Sequence, residues 1–289
     1  RLFVTSRSTY TLEEGLARVQ ESGRFAVEFL SQDIRMAGYA GCSANLTGTA
    51  VGNLVAPPES ATTFNPDGVA GYKYVCTSSC TGALTEWDPD LTTEYFPTGS
   101  SEIQPIAGSD VIVIQRADAS GTHLTGNPNP DNANIKIINT TALAGTIAVG
   151  DILMVSDCKA ADIIQVNSIS AGSGPKTITH IYNHPTDNTQ NNKLTHSYGN
   201  DAEIMKLVTR VYFIGRRDNS SSNPPALYRK ELSGSLLVAQ ELVEGIEIMK
   251  LSYGEDTDTT KDGVPNIYRT SPSAVLNWRQ VLTVRVGLL

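Results

Sequence analysis

The sequence predicts an α+β fold in which one long N-terminal helix packs on a mostly antiparallel β-sheet with long loop insertions. Three observations predict it. An apolar period near 3.6 residues runs from Thr11 to Tyr39, and no other segment is as long or as helical. Short β-branched runs bounded by turn residues fill the remainder, without the strand–helix alternation that builds parallel sheets. Hydrophobic residues make up 40% and charged residues 18% of the 289 positions, which describes a globular chain rather than a disordered one.

The helical stretch carries apolar or small residues at Leu12, Leu16, Val19, Gly23, Ala26, Leu30, Ile34 and Ala37. Their steps of three and four trace one helix face, and Phe25, Phe29 and Met36 widen it. Thr11 is placed to cap the start, with Glu13 and Glu14 in a first turn where the helix dipole favours negative charge. Gly38 and Gly41 supply the stop. Ahead of this stretch, Leu2, Phe3 and Val4 read as the tail of an apolar run, as expected of a piece of a membrane-anchored protein.

From Cys42 to Ser109 the chain reads as long surface loops, with Pro57-Pro58 and Pro66-Asp67-Gly68 among its turns and one short strand at Tyr72–Cys76. Strand signals then follow at 110–116, 135–138, 151–156, 163–169 and 177–182. The Asn- and Thr-rich stretch 185–200 is a loop. In the last third, 202–216 is a long strand, 219–225 a turn and 226–232 its returning partner. A short helical or irregular piece occupies 238–245, then come a strand at 246–253, an acidic loop at 255–266 and a closing strand at 281–288. The helix, 1–40, and a β-rich head, 41–289, form the expected division.

The net charge of −8 argues against a nucleic-acid surface as the main interface. No GxSxG, P-loop or GxGxxG followed by a helix is present, and no nucleophile stands beside a base, so the sequence does not support an enzyme. His180 and His184 are four apart, but the segment is strand-like and Pro185 follows at once. They therefore read as exposed loop histidines rather than a zinc pair. The loop GEDTDTTKDG offers Glu255, Asp256, Asp258 and Asp262 as oxygen ligands for a calcium ion, in a spacing that is not that of an EF-hand. Asn45, Asn139 and Asn219 open glycosylation triplets, a pattern short enough to arise by chance in this composition.

Cys42, Cys76, Cys80 and Cys158 are even in number in a polar, loop-rich chain, which favours disulfides in an oxidising compartment. A four-thiolate zinc site would show two close pairs, and only Cys76 and Cys80 are close.

The run RVQESGRFAVEFLSQDIRMAGYAGC at 18–42 resembles PilW-type minor pilins of bacterial type IV pili. Four later stretches share the likeness: 149–166, 210–232, 241–268 and the closing LNWRQVLTVRVGLL. The loops 43–109 and 183–200 do not. The resemblance implies a pilin-like fold whose helix starts in the inner membrane and continues into the fibre core. It implies pairing of Cys42 with Cys158, which leaves Cys76 for Cys80. It implies a non-catalytic protein that moves from inner membrane and periplasm to the pilus tip. Its partners there are other minor pilins, the major pilin and a PilY-type adhesin. Within that picture Leu12, Leu16 and Val19 face neighbouring helices, while Phe25, Phe29, Leu30 and Ile34 pack under the head. A related alternative is a GspJ-like minor pseudopilin of a type II secretion system. Another is a pilus-associated module in which 43–109 binds a host surface or DNA.

Overall fold

The computed structural model describes residues 2–42, 51–53, 55, 61–78, 80–99, 101–126, 134–138, 142–181, 194, 196–234, 236–260 and 262–289. In chain order the elements open with α1 (Leu2–Arg35), β1 (Val51–Asn53), β2 (Val69–Tyr74), β3 (Trp87–Asp88), β4 (Val111–Ala117), β5 (Thr122–His123) and β6 (Ile135–Ile137). They continue with α2 (Ala142–Thr146), β7 (Ile152–Ser156), β8 (Ala161–Ile169), β9 (Lys176–Ile181) and β10 (Glu203–Arg216). The last third holds β11 (Pro225–Ser233), β12 (Leu236–Glu244), β13 (Met249–Glu255), β14 (Ile267–Arg269) and β15 (Val281–Leu288).

α1 begins well before Thr11, so Thr11 lies inside the helix rather than capping it, and Glu13 and Glu14 are not in its first turn. The apolar Leu2–Val4 segment continues the same helix, which is why the local cap signal misled. Its C-terminal end falls at Arg35, ahead of Gly38 and Gly41, both of which take positive φ. The Gly38 N–H donates to the Gln115 carbonyl, and a side chain on Gly68 would collide with the Gly38 backbone. That close approach seats the chain leaving the helix directly on β4.

β10 organises the sheet. Its 14 residues alternate between two buried faces, with Tyr212 and Ile214 toward α1 and Val211 and Phe213 toward an aromatic cluster around Trp87 and Phe96. Its first part pairs with β5 and β7, its middle with β4 and its last part with β11. One half of the sheet therefore runs β7-β8-β9-β6 and the other β3-β2-β4, with β11 and β12 added beside β10. Every strand pairing is antiparallel except that of β1 with β8. A second sheet, β14-β13-β15, stands beside β2 and is tied to it by buried Asp110. That carboxylate accepts from the N–H groups of Leu251, 2.9 Å, and Tyr74, 3.2 Å.

Residues 238–245 depart from expectation. All but Gly245 lie in a strand, β12, that returns along β11 after a turn at Gly234, which has positive φ. The run LVAQELVE fits a helix period as well as a strand period, and pairing with β11 decides it. His180 also departs: it is buried on β9, opposite Val166, and not an exposed loop residue. His184 and most of the stretch 185–200 lie outside the described residues, as do Asn45 and Asn139.

Candidate docking face

The stripe at spacings of three and four has two different fates along α1. Toward the C-terminus Ala26 and Leu30 are fully buried against Val69, Tyr212, Val243 and Met249, with Phe29, Ile34 and Ala37 partly buried beside them. Toward the N-terminus every side chain from Glu13 to Glu21 is exposed, including Leu16 at 59% and Val19 at 70%. Leu16, Val19, Gly23, Ala26 and Leu30 lie on one line of the helix, so the face that the head covers at Leu30 runs on past the head, uncovered. The side chain of Leu12 is outside the described ones. Phe25, expected under the sheet, is 41% exposed, with the Arg24 guanidinium 5.9 Å from its ring centroid. It sits roughly 100° around the helix from Ala26 and so misses the buried stripe.

An unexpected charge fixes the covered half. Asp33, three residues beyond Leu30, is buried in the same stripe. Its carboxylate accepts from Arg210 Nη1 at 2.6 Å and from the Tyr212 hydroxyl, and lies 3.8 Å from Arg116. Arg210 also pairs with Glu231 at 2.9 Å. Burial works against the charge on Arg210, but the two carboxylates outweigh it and raise its pKa. Burial pushes the Tyr212 phenol up, and the bond to Asp33 adds to this. A carboxylate on the apolar line of an amphipathic helix was the signal in the sequence. It marks where the helix locks to β10 and β4.

A disulfide holds the chain just after the helix. Cys42 bonds Cys158, in the turn between β7 and β8, with 5.1 Å between Cα atoms, and Cys76 bonds Cys80. Both pairings match those the resemblance implied. Ala40 is anchored as well, its carbonyl accepting from the Ser156 hydroxyl at 3.1 Å.

The acidic loop divides. Asp256, Asp258 and Asp262 each bring one carboxylate oxygen within 4.8 Å of the others. Asp256 also accepts from Gly263 N–H, Asp258 from Asn266, and Asp262 from Val264 N–H. Glu255 does not join them: it is buried, and accepts from Arg269 Nε and Asn277 N–H, each at 2.8 Å. Burial pushes the Glu255 pKa up, and these donors outweigh it and hold it below the ordinary range. Asn219 is also occupied. Its side-chain oxygen accepts from Gln104 N–H at 2.7 Å and its nitrogen donates to the Glu102 carbonyl at 2.8 Å, so this triplet serves the fold.

Fold and surfaces together define an α+β protein whose single long helix outruns its head and leaves an apolar line open. Residues 211–289 match the family model described as type IV pilus-assembly protein W. That span runs from the second half of β10 through β15, less than half of the chain, and the match supports a role related to type IV pilus assembly. The match does not include α1, which carries the most specific part of the sequence likeness. No curated protein and no solved structure matches the chain. No described helix is long and apolar enough to cross a membrane.

Proposed function

We propose that this protein is a minor pilin of pilin-like fold. It joins other minor pilins and the major pilin to prime the fibre and sits in the tip complex. There it carries a PilY-type adhesin and so supports adhesion and twitching. The role is docking, without catalysis. The observation that carries this reading is the apolar line of α1, buried at Ala26 and Leu30 and open at Leu16 and Val19. Burial of each such side chain against a neighbouring helix is worth about 1.5–3 kcal/mol. The test is Leu16→Glu in the cell. Pilus number and twitching should fall while the protein remains folded and at normal level. Normal pili in that strain, or in a strain lacking the whole gene, would sink the reading.

A further inference from the structure

The sheet β14-β13-β15 ends on β15, and among the described residues no strand lies along the far edge of β15. Backbone N–H and C=O groups on that side therefore have no strand partner among the described residues. Edges are ordinarily blunted by proline, by bulges or by charges turned inward. β15, VLTVRVGL, has no proline and one charge. That charge, Arg285, is drawn across the sheet, its guanidinium 3.4 Å from the Tyr268 ring centroid. The irregularity of register falls at the start of the strand, where Thr283 pairs with Gly254 and Val281 with Glu255, so 283–288 runs unbroken.

A groove of about 710 Å³ lies between this strand and the last turns of α1. Val27, Leu30 and Ile34 form the helix wall, and Val281, Val284 and Val286 the strand wall. Val284, Val286 and Leu288 are half-buried while Arg285 and Gly287 between them are exposed, so from Val284 onward the strand alternates, and its Val284 and Val286 turn to the groove. Arg35 stands in the lining, exposed and with no carboxylate in ion-pair reach among the described residues. The other charge there, Asp67, is already paired with Arg279 at 3.3 Å.

An apolar helix or an acyl chain would fill the groove but leave the edge of β15 unpaired. An extended chain does both, which is the logic of strand addition. We propose that β15 is an acceptor edge for one extended strand from a different protein subunit. The incoming strand turns alternate apolar side chains toward α1 and sets a carboxylate beside Arg35. A second copy of this chain is a poor donor of its own β15. Two-fold pairing of the eight-residue strand would bring the two Arg285 side chains together near its middle. The inference rests on the assembly reading only in taking the donor to be a pilus subunit.

The test is calorimetric titration of the purified protein with synthetic eight-residue peptides alternating valine and threonine. One carries glutamate at both ends and one lysine. Two more are the glutamate peptide N-methylated along one edge or the other. The glutamate peptide should bind at least about tenfold more tightly than the lysine peptide. Methylation along one edge should abolish binding, methylation along the other should not, and Arg35→Glu should reverse the charge preference. Failure of every peptide to bind, equal binding of both methylated forms, or a preference untouched by Arg35→Glu would each overturn the proposal. So would a concentration-dependent dimer that the glutamate peptide dissociates, because the edge would then belong to a second copy. The pilus count of the Leu16→Glu strain is a separate readout, so either idea can fail alone.

Discussion

Asp33 is the residue on which the placement of α1 turns. Its carboxylate is buried between Arg210, Arg116 and Tyr212, and removing it would take from Arg116 its carboxylate partner and leave Arg210 with Glu231 alone, both guanidinium groups being largely out of water. Breaking one partner out of a buried pair typically costs 3–5 kcal/mol, so Asp33→Ala should lower unfolding stability by about 3 kcal/mol, read from the denaturant midpoint. A loss below 1 kcal/mol would mean that the network is looser than its distances imply. Glu86 gives a pH signature in another place. Its pKa is lowered from 4.5 to about 2, first by the Thr81 N–H and then by the Thr81 and Tyr74 hydroxyls and the Gly82 N–H, against the opposing pull of burial. A carboxylate depressed on folding contributes stability that is fully present above its unfolded value and lost as pH falls through the folded one. Acidification from about 4.5 toward about 2 should therefore loosen the 76–82 loop. Amide exchange in that loop reads the effect, and Glu86→Gln should remove the pH dependence.

At the scale of the element, α1 is two helices in energetic terms. Leu30 is 1% exposed in the main core and Leu16 is 59% exposed beyond it. Leu30→Glu would bury an unpaired charge and should unfold the head, whereas Leu16→Glu should leave the far-UV and near-UV circular dichroism of the isolated protein unchanged. If both variants fold, the stripe is not the anchor. Ile34 is a weaker choice for this experiment than the sequence implies, because it is only partly buried and lines the groove beside β15. Much of this was legible in advance. The β-branched runs of β4, β7, β10 and β15 and the C-terminal part of α1 are legible because each carries its own pattern, whereas the turns of α1 ahead of Thr11 are not. Other elements carry none. β3 and β5 are two residues each and exist only because β2 and β10 lie beside them. β12 is ambiguous until β11 is in place. Of the expected site residues, the cysteines paired as the resemblance implied. Glu255 parted from its acidic neighbours because Arg269, 14 residues away, takes its carboxylate. Long-range partners of this kind have no local sequence signal.

For the whole molecule, the end of α1 is tied to both halves of the head. Asp33 binds β10 where it pairs with β4 and β11, and Cys42 is bonded to the turn between β7 and β8. β10 itself spans both halves, so two physical links, one covalent, oblige them to unfold together. Tension applied along α1 would then be shared by the whole sheet rather than peeling one half. The disulfide closes a loop of 116 residues and on chain-entropy grounds is worth about 4–5 kcal/mol. In the oxidised protein, core amides at Leu153 and Ile164 should exchange only through global unfolding, with the same free energy as those at Leu227 and Tyr228. In the Cys42→Ser/Cys158→Ser protein, the first pair should exchange through a cheaper, separate opening while the second pair still follows the global limit. Should all four amides keep a single common free energy in the double-serine protein, β10 alone would be enough to couple the halves. If the two pairs already differ in the oxidised protein, the head does not act as one body.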